Sequence, residues 1–153
     1  MINKLKNLFQ NTDNKEENNE QELKLAAATL MFELIKSDGQ IDQIELSHMR
    51  TILRSEFELD EDDVDELFVF AKQSAQDAIS LHAFTRKICD NWDNSKRMKL
   101  LEYLWVLALA DENIDPHERH LVRKVAGLLY LNESQIVKSR ENAKRQLDIS
   151  KHK

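Results

Sequence analysis

Ala110-Asp111-Glu112-Asn113-Ile114-Asp115-Pro116-His117-Glu118 is the stretch that decides the fold, together with its earlier counterpart, Ser37-Asp38-Gly39-Gln40-Ile41-Asp42-Gln43-Ile44-Glu45. Both stretches place Asp, Ile, Asp and Glu at the same relative positions. Each lies where one apolar helical pattern ends and the next begins. The second Asp of each stretch suits a helix N-cap, and the Glu three positions later suits its capping-box partner. The sequence therefore predicts two similar acidic turns between helices.

The likeness between the two halves extends beyond the turns. Downstream of Ile52 and Val125 it continues with one residue of slippage. Internal similarity on this scale predicts a helix–acidic turn–helix unit that occurs twice, giving a bundle with pseudo-two-fold character. The aligned pairs are Leu30 with Tyr103, Leu34 with Leu107, Asp38 with Asp111, Ile41 with Ile114, Asp42 with Asp115, Glu45 with Glu118, Arg50 with Arg123, Ile52 with Val125, and Leu59-Asp60 with Leu131-Asn132.

The composition favours a single, all-helical domain. The chain has 153 residues but only two glycines and one proline, whereas strand-and-turn architectures need many turn residues. A chain of this length usually forms one domain with a sizeable core. The net charge of −6, from 22 basic and 28 acidic side chains, argues against a general nucleic-acid binder, which usually shows a basic excess.

Apolar residues at helical spacing predict a bundle of about seven helices. The first runs from near Gln21 to about Ile35 and is ended by Asp38-Gly39. The other six are expected to begin after the following candidate N-caps: Asp42, Asp60, Ser80, Asn94 or Ser95, Asp115 with Pro116 at the first helical position, and Asn132.

Three helices carry further expectations. The fifth, with its nearly continuous apolar run from Met98 to Ala108, is expected to be the most buried. The sixth contains Gly127, for which close helix packing is a possible reason. The last runs to about Leu147 and is expected to be anchored by Ile136 and Val137.

The first 20 residues differ from the rest. Met1–Phe9 forms a short amphipathic segment with two lysines, and either anchors weakly to a membrane surface, docks on a partner, or packs on its own domain. Gln10–Glu20 has no apolar residue and is expected to be a polar linker. The helical domain is therefore expected at residues 21–149, with residues 150–153 as a tail.

The sequence predicts a cytoplasmic protein. Cys89 is the only cysteine, which excludes an intrachain disulfide and fits a reducing compartment. The N-terminus lacks a signal-peptide pattern, and no segment is apolar over the length of a membrane span.

From about Leu23 to Leu147 the chain resembles the TerB-like domain family, which is named for the tellurite-resistance protein TerB and also occurs in the N-terminal region of DnaJ-like membrane co-chaperones. The family pattern in each half is Asp-Gly, then Ile-Asp, then Glu. The first acidic turn matches it fully, whereas Glu112 stands where the second turn would have Gly. The resemblance implies an all-helical fold, bacterial stress-associated contexts, and a divalent-cation site at the acidic turns.

The acidic turns leave two interpretations open. Their carboxylates are the hard oxygen ligands that Ca²⁺ or Mg²⁺ prefers, or they serve only as helix caps. The spacing is not that of an EF-hand, because the loop is too short and the last glutamate comes too early. The candidate metal ligands are Asp38, Asp42, Glu45, Asp111, Asp115 and Glu118.

Other candidate chemistry is sparse. Glu45 and His48 form a single Glu-x-x-His pair, whereas di-metal helical bundles need two. His117 and His120 are more typical of surface histidines than of a transition-metal site, and Cys89 is expected to be a small buried side chain. The sequence therefore favours a non-catalytic module that binds an unidentified protein partner. Its alternatives are a membrane-peripheral adaptor anchored by residues 1–9 and a metal-dependent enzyme.

Overall fold

The computed structural model describes the backbone of residues 15–36, 41–77, 81–110 and 115–151, and the side chains of most of them. All regular elements within these ranges are helices, so the all-α prediction is confirmed for the described chain. The described ranges contain seven helices, which are α1 (Lys15–Ile35), α2 (Gln43–Ser55), α3 (Glu61–Asp77), α4 (His82–Asn91), α5 (Asn94–Leu109), α6 (Pro116–Leu128) and α7 (Glu133–Lys151).

Helix α5 is the centre of the bundle, as its sequence predicts. Every residue from Leu100 to Ala108 is buried, and the helix contacts α7, α1, α6 and α2. A helix that is apolar on all sides can be stable only if it is surrounded by other helices. The largest of its buried side chains, Trp105, has no solvent exposure.

Helix α1 supplies the second wall of the core. Its alanines, Ala26 to Ala28, are buried and allow neighbouring helices to approach closely, and the helix packs on α3, α4 and α5. Phe32 meets Phe68 of α3 edge to face, with ring centroids 5.4 Å apart, an arrangement that aromatic pairs prefer. Helix α1 therefore connects the first half of the chain to the central helix.

Helix α1 also begins earlier than the apolar pattern suggests. Its first residue is Lys15, whereas the sequence predicts a start near Gln21. Lysine and glutamate are good helix formers, so a polar stretch without glycine or proline can extend a helix beyond its buried part. The predicted linker is thus helical from Lys15 to Glu20, and Met1–Phe9 lies outside the described residues.

The connections after α2 and α6 share unusual local features. Glu58 and Tyr130, which occupy matching positions once the one-residue slippage is applied, both have positive φ, 55° and 59°. Few non-glycine residues adopt this left-handed conformation, which commonly ends helices. Next to them, the side chains of Asp60 and Asn132 each accept a backbone hydrogen bond of 2.8 Å three residues ahead.

An arginine–glutamate ion pair joins α2 to α3, and a similar one joins α6 to α7. Arg50 of α2 lies 3.7 Å from Glu61 of α3, and Arg123 of α6 lies 3.3 Å from Glu133 of α7. These local similarities are what two copies of one unit would have. Superposition of the complete halves stays a prediction.

Several smaller expectations are corrected. Asp93, rather than Asn94 or Ser95, caps α5 by accepting a 2.9 Å hydrogen bond from the Lys96 N–H. Val137 is 46% exposed and anchors nothing, because the turn of α7 directs Ile136 inward and its neighbour outward.

Gly127 and the fourth helix also differ from expectation. A β-carbon at Gly127 would meet no atom within 4 Å, so close packing does not explain this glycine. The expected cap Ser80 lies outside the described residues. Helix α4 begins at His82 after Leu81, whose side chain makes no capping bond.

Candidate functional site at the acidic turns

The second aspartate of each acidic turn is a helix N-cap, as predicted. Asp42 Oδ1 accepts hydrogen bonds from the backbone N–H groups of Ile44 and Glu45, at 2.7 and 3.4 Å. Asp115 Oδ1 accepts one from the N–H of His117 at 2.7 Å, with Pro116 at the first helical position. Both caps satisfy backbone donors that a helix start leaves unpaired. The first aspartates, Asp38 and Asp111, lie outside the described residues.

The glutamates that follow these caps are buried. Glu45 is 2% exposed and Glu118 is 4% exposed. Burying a carboxylate is costly unless polar groups compensate it, and neither side chain lacks an interaction partner. The two matching positions of the repeat therefore each hold a carboxylate in the protein interior, next to an acidic turn.

This burial could have been found in the sequence. Glu45 precedes the buried Met49 by four residues, and Glu118 precedes the buried Val122 by four. Residues four apart lie on one helix face, so each glutamate continues an inward-facing stripe. The capping-box pattern predicts only a contact with the backbone, so by itself it does not indicate that these glutamates are buried.

The described part of the site does not by itself form a metal centre. Among residues with described side chains, no three His, Cys, Asp or Glu lie close enough together to hold a metal ion. That search does not cover Asp38 or Asp111, so the predicted six-residue cation site stays a prediction. The four described members form two capped corners, each with one cap aspartate and one buried glutamate.

The reciprocal capping box occurs at a different helix. The Asn132 N–H donates to Gln135 Oε1 at 2.9 Å, and the Gln135 N–H donates to Asn132 Oδ1 at 2.8 Å. At the acidic turns, the side chains of Asp42 and Asp115 accept hydrogen bonds from backbone N–H groups of the first helical turn. The reverse bonds from Glu45 and Glu118 stay predictions.

Removing either cap aspartate is expected to reduce stability modestly. Asp42→Ala and Asp115→Ala should each lower the free energy of unfolding by about 1 kcal/mol, because the helix start loses its side-chain acceptor. Asp42→Asn and Asp115→Asn should cost little, since asparagine caps helices about as well as aspartate. Urea unfolding of the four variants checks this. Equal losses for the Ala and Asn variants would contradict a capping role.

His48 lies half-buried on α2, one turn after Glu45, and burial lowers its pKa below the ordinary value. The unfolded chain therefore takes up a proton at His48 at a higher pH than the folded chain does. Stability should consequently fall as the pH drops from about 7 through the ordinary histidine pKa of about 6.5. His48→Gln should make this fall shallower. Urea midpoints measured across this pH range test it, with the exposed His120→Gln as control. Parallel pH profiles for wild type and His48→Gln would contradict the assignment.

Of the remaining candidate groups, His117 belongs to the second acidic turn, and Cys89 and His120 lie outside both turns. The Cys89 thiol is half-buried rather than buried as predicted, and it donates to the Leu128 carbonyl oxygen at 3.5 Å. His117 and His120 are exposed, and His117 Nδ1 lies 3.2 Å from the Asp115 cap. This placement matches the prediction of surface histidines.

The acidic start of α3 is partly neutralised within the fold. Arg50 contacts Asp65, and Arg54 Nη1 lies 2.8 Å from Glu61. Both arginines come from α2, so these carboxylates help to hold two helices together. Surface pairs of this kind contribute little individually, although they set the local charge.

None of the helices within the described ranges combines the length and apolarity needed to cross a bilayer.

Comparison with known proteins identifies the family. Neither curated proteins nor solved structures give a match. The family model described as tellurite resistance protein TerB matches residues 24–141, which is most of the chain and includes both acidic turns. The chain is therefore a member of the TerB family.

Proposed function

We propose that this TerB-family protein is a non-catalytic module that binds a partner protein at its first acidic turn. The observation that supports this most directly is the exposure of two large apolar side chains there, Ile41 at 45% and Ile44 at 51%. They flank the cap residue Asp42 at the start of α2. Apolar side chains beside a carboxylate suit a partner segment that is itself apolar and basic.

Binding through these isoleucines is tested by a double substitution on the surface. Ile41→Ser with Ile44→Ser should leave the far-UV circular dichroism and the unfolding midpoint nearly unchanged, because neither side chain contributes to the core. Affinity capture from cell lysate should then lose the proteins that wild-type bait retains. Val69→Ser is the matched control, since Val69 is 42% exposed on α3. Retention of the same proteins by the double variant would refute this surface.

We also propose that the acidic turns bind a divalent cation, with Asp42 and Asp115 among the ligands. Each cap uses its Oδ1 for the backbone bonds that the structure describes. A carboxylate has a second oxygen with acceptor capacity, so capping and cation binding are compatible. The buried side chains of Glu45 and Glu118 place a further carboxyl group close to each turn.

Asparagine substitutions separate the cation from the cap. Wild-type protein should release or absorb heat on titration with Ca²⁺ or Mg²⁺, and should melt at a higher temperature with millimolar metal. The Asp42→Asn and Asp115→Asn double variant keeps both caps and should lose both responses. A flat titration with an unchanged melting temperature in wild type would remove the cation site and leave the aspartates as caps.

The membrane-peripheral alternative depends on Met1–Phe9, which lies outside the described residues. Co-sedimentation with anionic vesicles, with and without residues 1–9, is its direct test. Binding that requires these residues would favour it over a module that acts only through the isoleucine surface.

A further inference from the structure

A cleft that is lined by no residue of either acidic turn lies between the early part of α1, the connection from α2 to α3, and the start of α5. Its volume is about 310 Å³, at the lower end of the range for small-molecule sites, roughly 300–1,000 Å³. Its walls combine aromatic and charged side chains from parts of the chain that are far apart in sequence.

The floor of the cleft is aromatic and well fixed. Phe57 and Tyr103 meet edge to face, with ring centroids 6.3 Å apart and an interplanar angle of 72°. Burial, and after it the nearby Glu56 carboxylate, raises the pKa of the Tyr103 hydroxyl. The half-buried Trp92 adds a third ring at the edge. Tyr103 itself is only 7% exposed, so the half-buried Phe57 and Trp92 offer the apolar ring surface on which a further ring can stack.

The rim of the cleft carries charges of both signs in equal number, three lysines and three glutamates. Two of the six are engaged at the floor. Lys99 lies 3.4 Å from Glu102 and 5.6 Å from the Tyr103 ring centroid, and the Glu56 carboxylate lies near the Tyr103 hydroxyl.

Other rim charges remain available. In the parts of the chain that the structure describes, neither Lys24, Lys96 nor Glu58 takes part in an ion pair. Lys96 and Glu58 are exposed, and the positive φ of 55° at Glu58 fixes where its side chain leaves the backbone.

This balance of charges restricts the ligand. A polyanion such as a phosphate ester would meet the rim carboxylates, and a polycation would meet the lysines. A molecule with one carboxylate, one ammonium and one flat ring can pair with both signs and stack on the floor. We propose that the cleft binds an aromatic zwitterion, the chemical class of the free aromatic amino acids, with Lys96 facing its carboxylate and Glu58 its ammonium.

The test uses the full chain with L-phenylalanine as the probe. Calorimetry should detect binding, and ¹H–¹⁵N spectra should show the indole N–H of Trp92 shifting while that of the buried Trp105 stays in place. N-acetyl-L-phenylalanine lacks the ammonium and L-phenylalaninamide lacks the carboxylate. Each should bind at least about tenfold more weakly, since each loses one charge-assisted contact. L-alanine, without a ring, should not bind measurably.

Two substitutions address the rim directly. Lys96→Gln and Glu58→Gln should each weaken L-phenylalanine binding at least about tenfold while the circular dichroism stays the same. Lys138→Gln, an exposed lysine on α7 outside the cleft, should bind as wild type does. No binding at millimolar L-phenylalanine, equal binding of N-acetyl-L-phenylalanine, or unchanged affinity in both rim variants would overturn the proposal. None of these readouts involves the acidic turns, so this proposal and the proposed function succeed or fail separately.

Discussion

Trp105→Ala is expected to lower the free energy of unfolding by about 3–5 kcal/mol, the range for removing a buried aromatic side chain. Trp105 is fully buried in the middle of α5. Its ring also lies 5.6 Å from the guanidinium carbon of Arg140, so the substitution removes a cation–π contact with α7. Guanidinium unfolding monitored by circular dichroism measures the loss. Tyr130→Ala, which removes an aromatic ring that is 78% exposed, should cost far less.

A second substitution at Trp105, to phenylalanine, tests the role of the indole N–H. The indole Nε1–H of Trp105 is buried without a hydrogen-bond partner in the described chain. An unpaired buried donor costs about 1–3 kcal/mol, and phenylalanine lacks that donor. Trp105→Phe should therefore lose less than half of what Trp105→Ala loses. Equal losses would show that the indole N–H is satisfied. A loss below about 1 kcal/mol in the alanine variant would contradict a central position for α5.

The central position of α5 could be predicted because its part from Leu100 to Ala108 is apolar apart from Glu102 and leaves no polar face. Such a helix is stable only inside a bundle, whatever the arrangement of the others. The caps Asp42, Asp60, Asp115 and Asn132 could likewise be predicted, since each directly precedes an apolar helical pattern.

Prediction failed where neighbouring residues offered the same chemistry. Asp93, Asn94 and Ser95 all cap helices well, and only the path of the backbone selects Asp93. Ile136 and Val137 are both apolar neighbours, and their different burial depends on how α7 is rotated against α5. Short-range sequence patterns do not contain that rotation.

The aromatic cleft had no signal in the sequence. Phe57 lies far from Trp92 and Tyr103 along the chain, and no sequence motif links these residues with Glu58. Their meeting depends on the packing of α1 and α5 with the connection after α2. Contacts between residues far apart in the chain follow from tertiary packing rather than local periodicity, so the cleft could be found only in the structure.

Met49→Ala is expected to lower the free energy of unfolding by about 2–5 kcal/mol, because a fully buried side chain is replaced by a cavity. Val122 occupies the matching position in the second half of the repeat and is also fully buried. Val122→Ala removes less volume and should cost about 1–3 kcal/mol. Urea unfolding with a common slope for all variants gives both values.

Exposed residues at a second pair of matching positions provide the control. Ser47 on α2 and His120 on α6 both face solvent, so Ser47→Ala and His120→Ala should each change stability by less than about 0.5 kcal/mol. If α2 and α6 descend from one unit, substitution to alanine should lower the free energy of unfolding strongly at the inward position and little at the outward position, in both helices. A small loss of unfolding free energy for Val122→Ala beside a large loss for Met49→Ala would mean that only α2 packs as the repeat requires. The similar acidic turns would then reflect capping chemistry rather than a common fold unit.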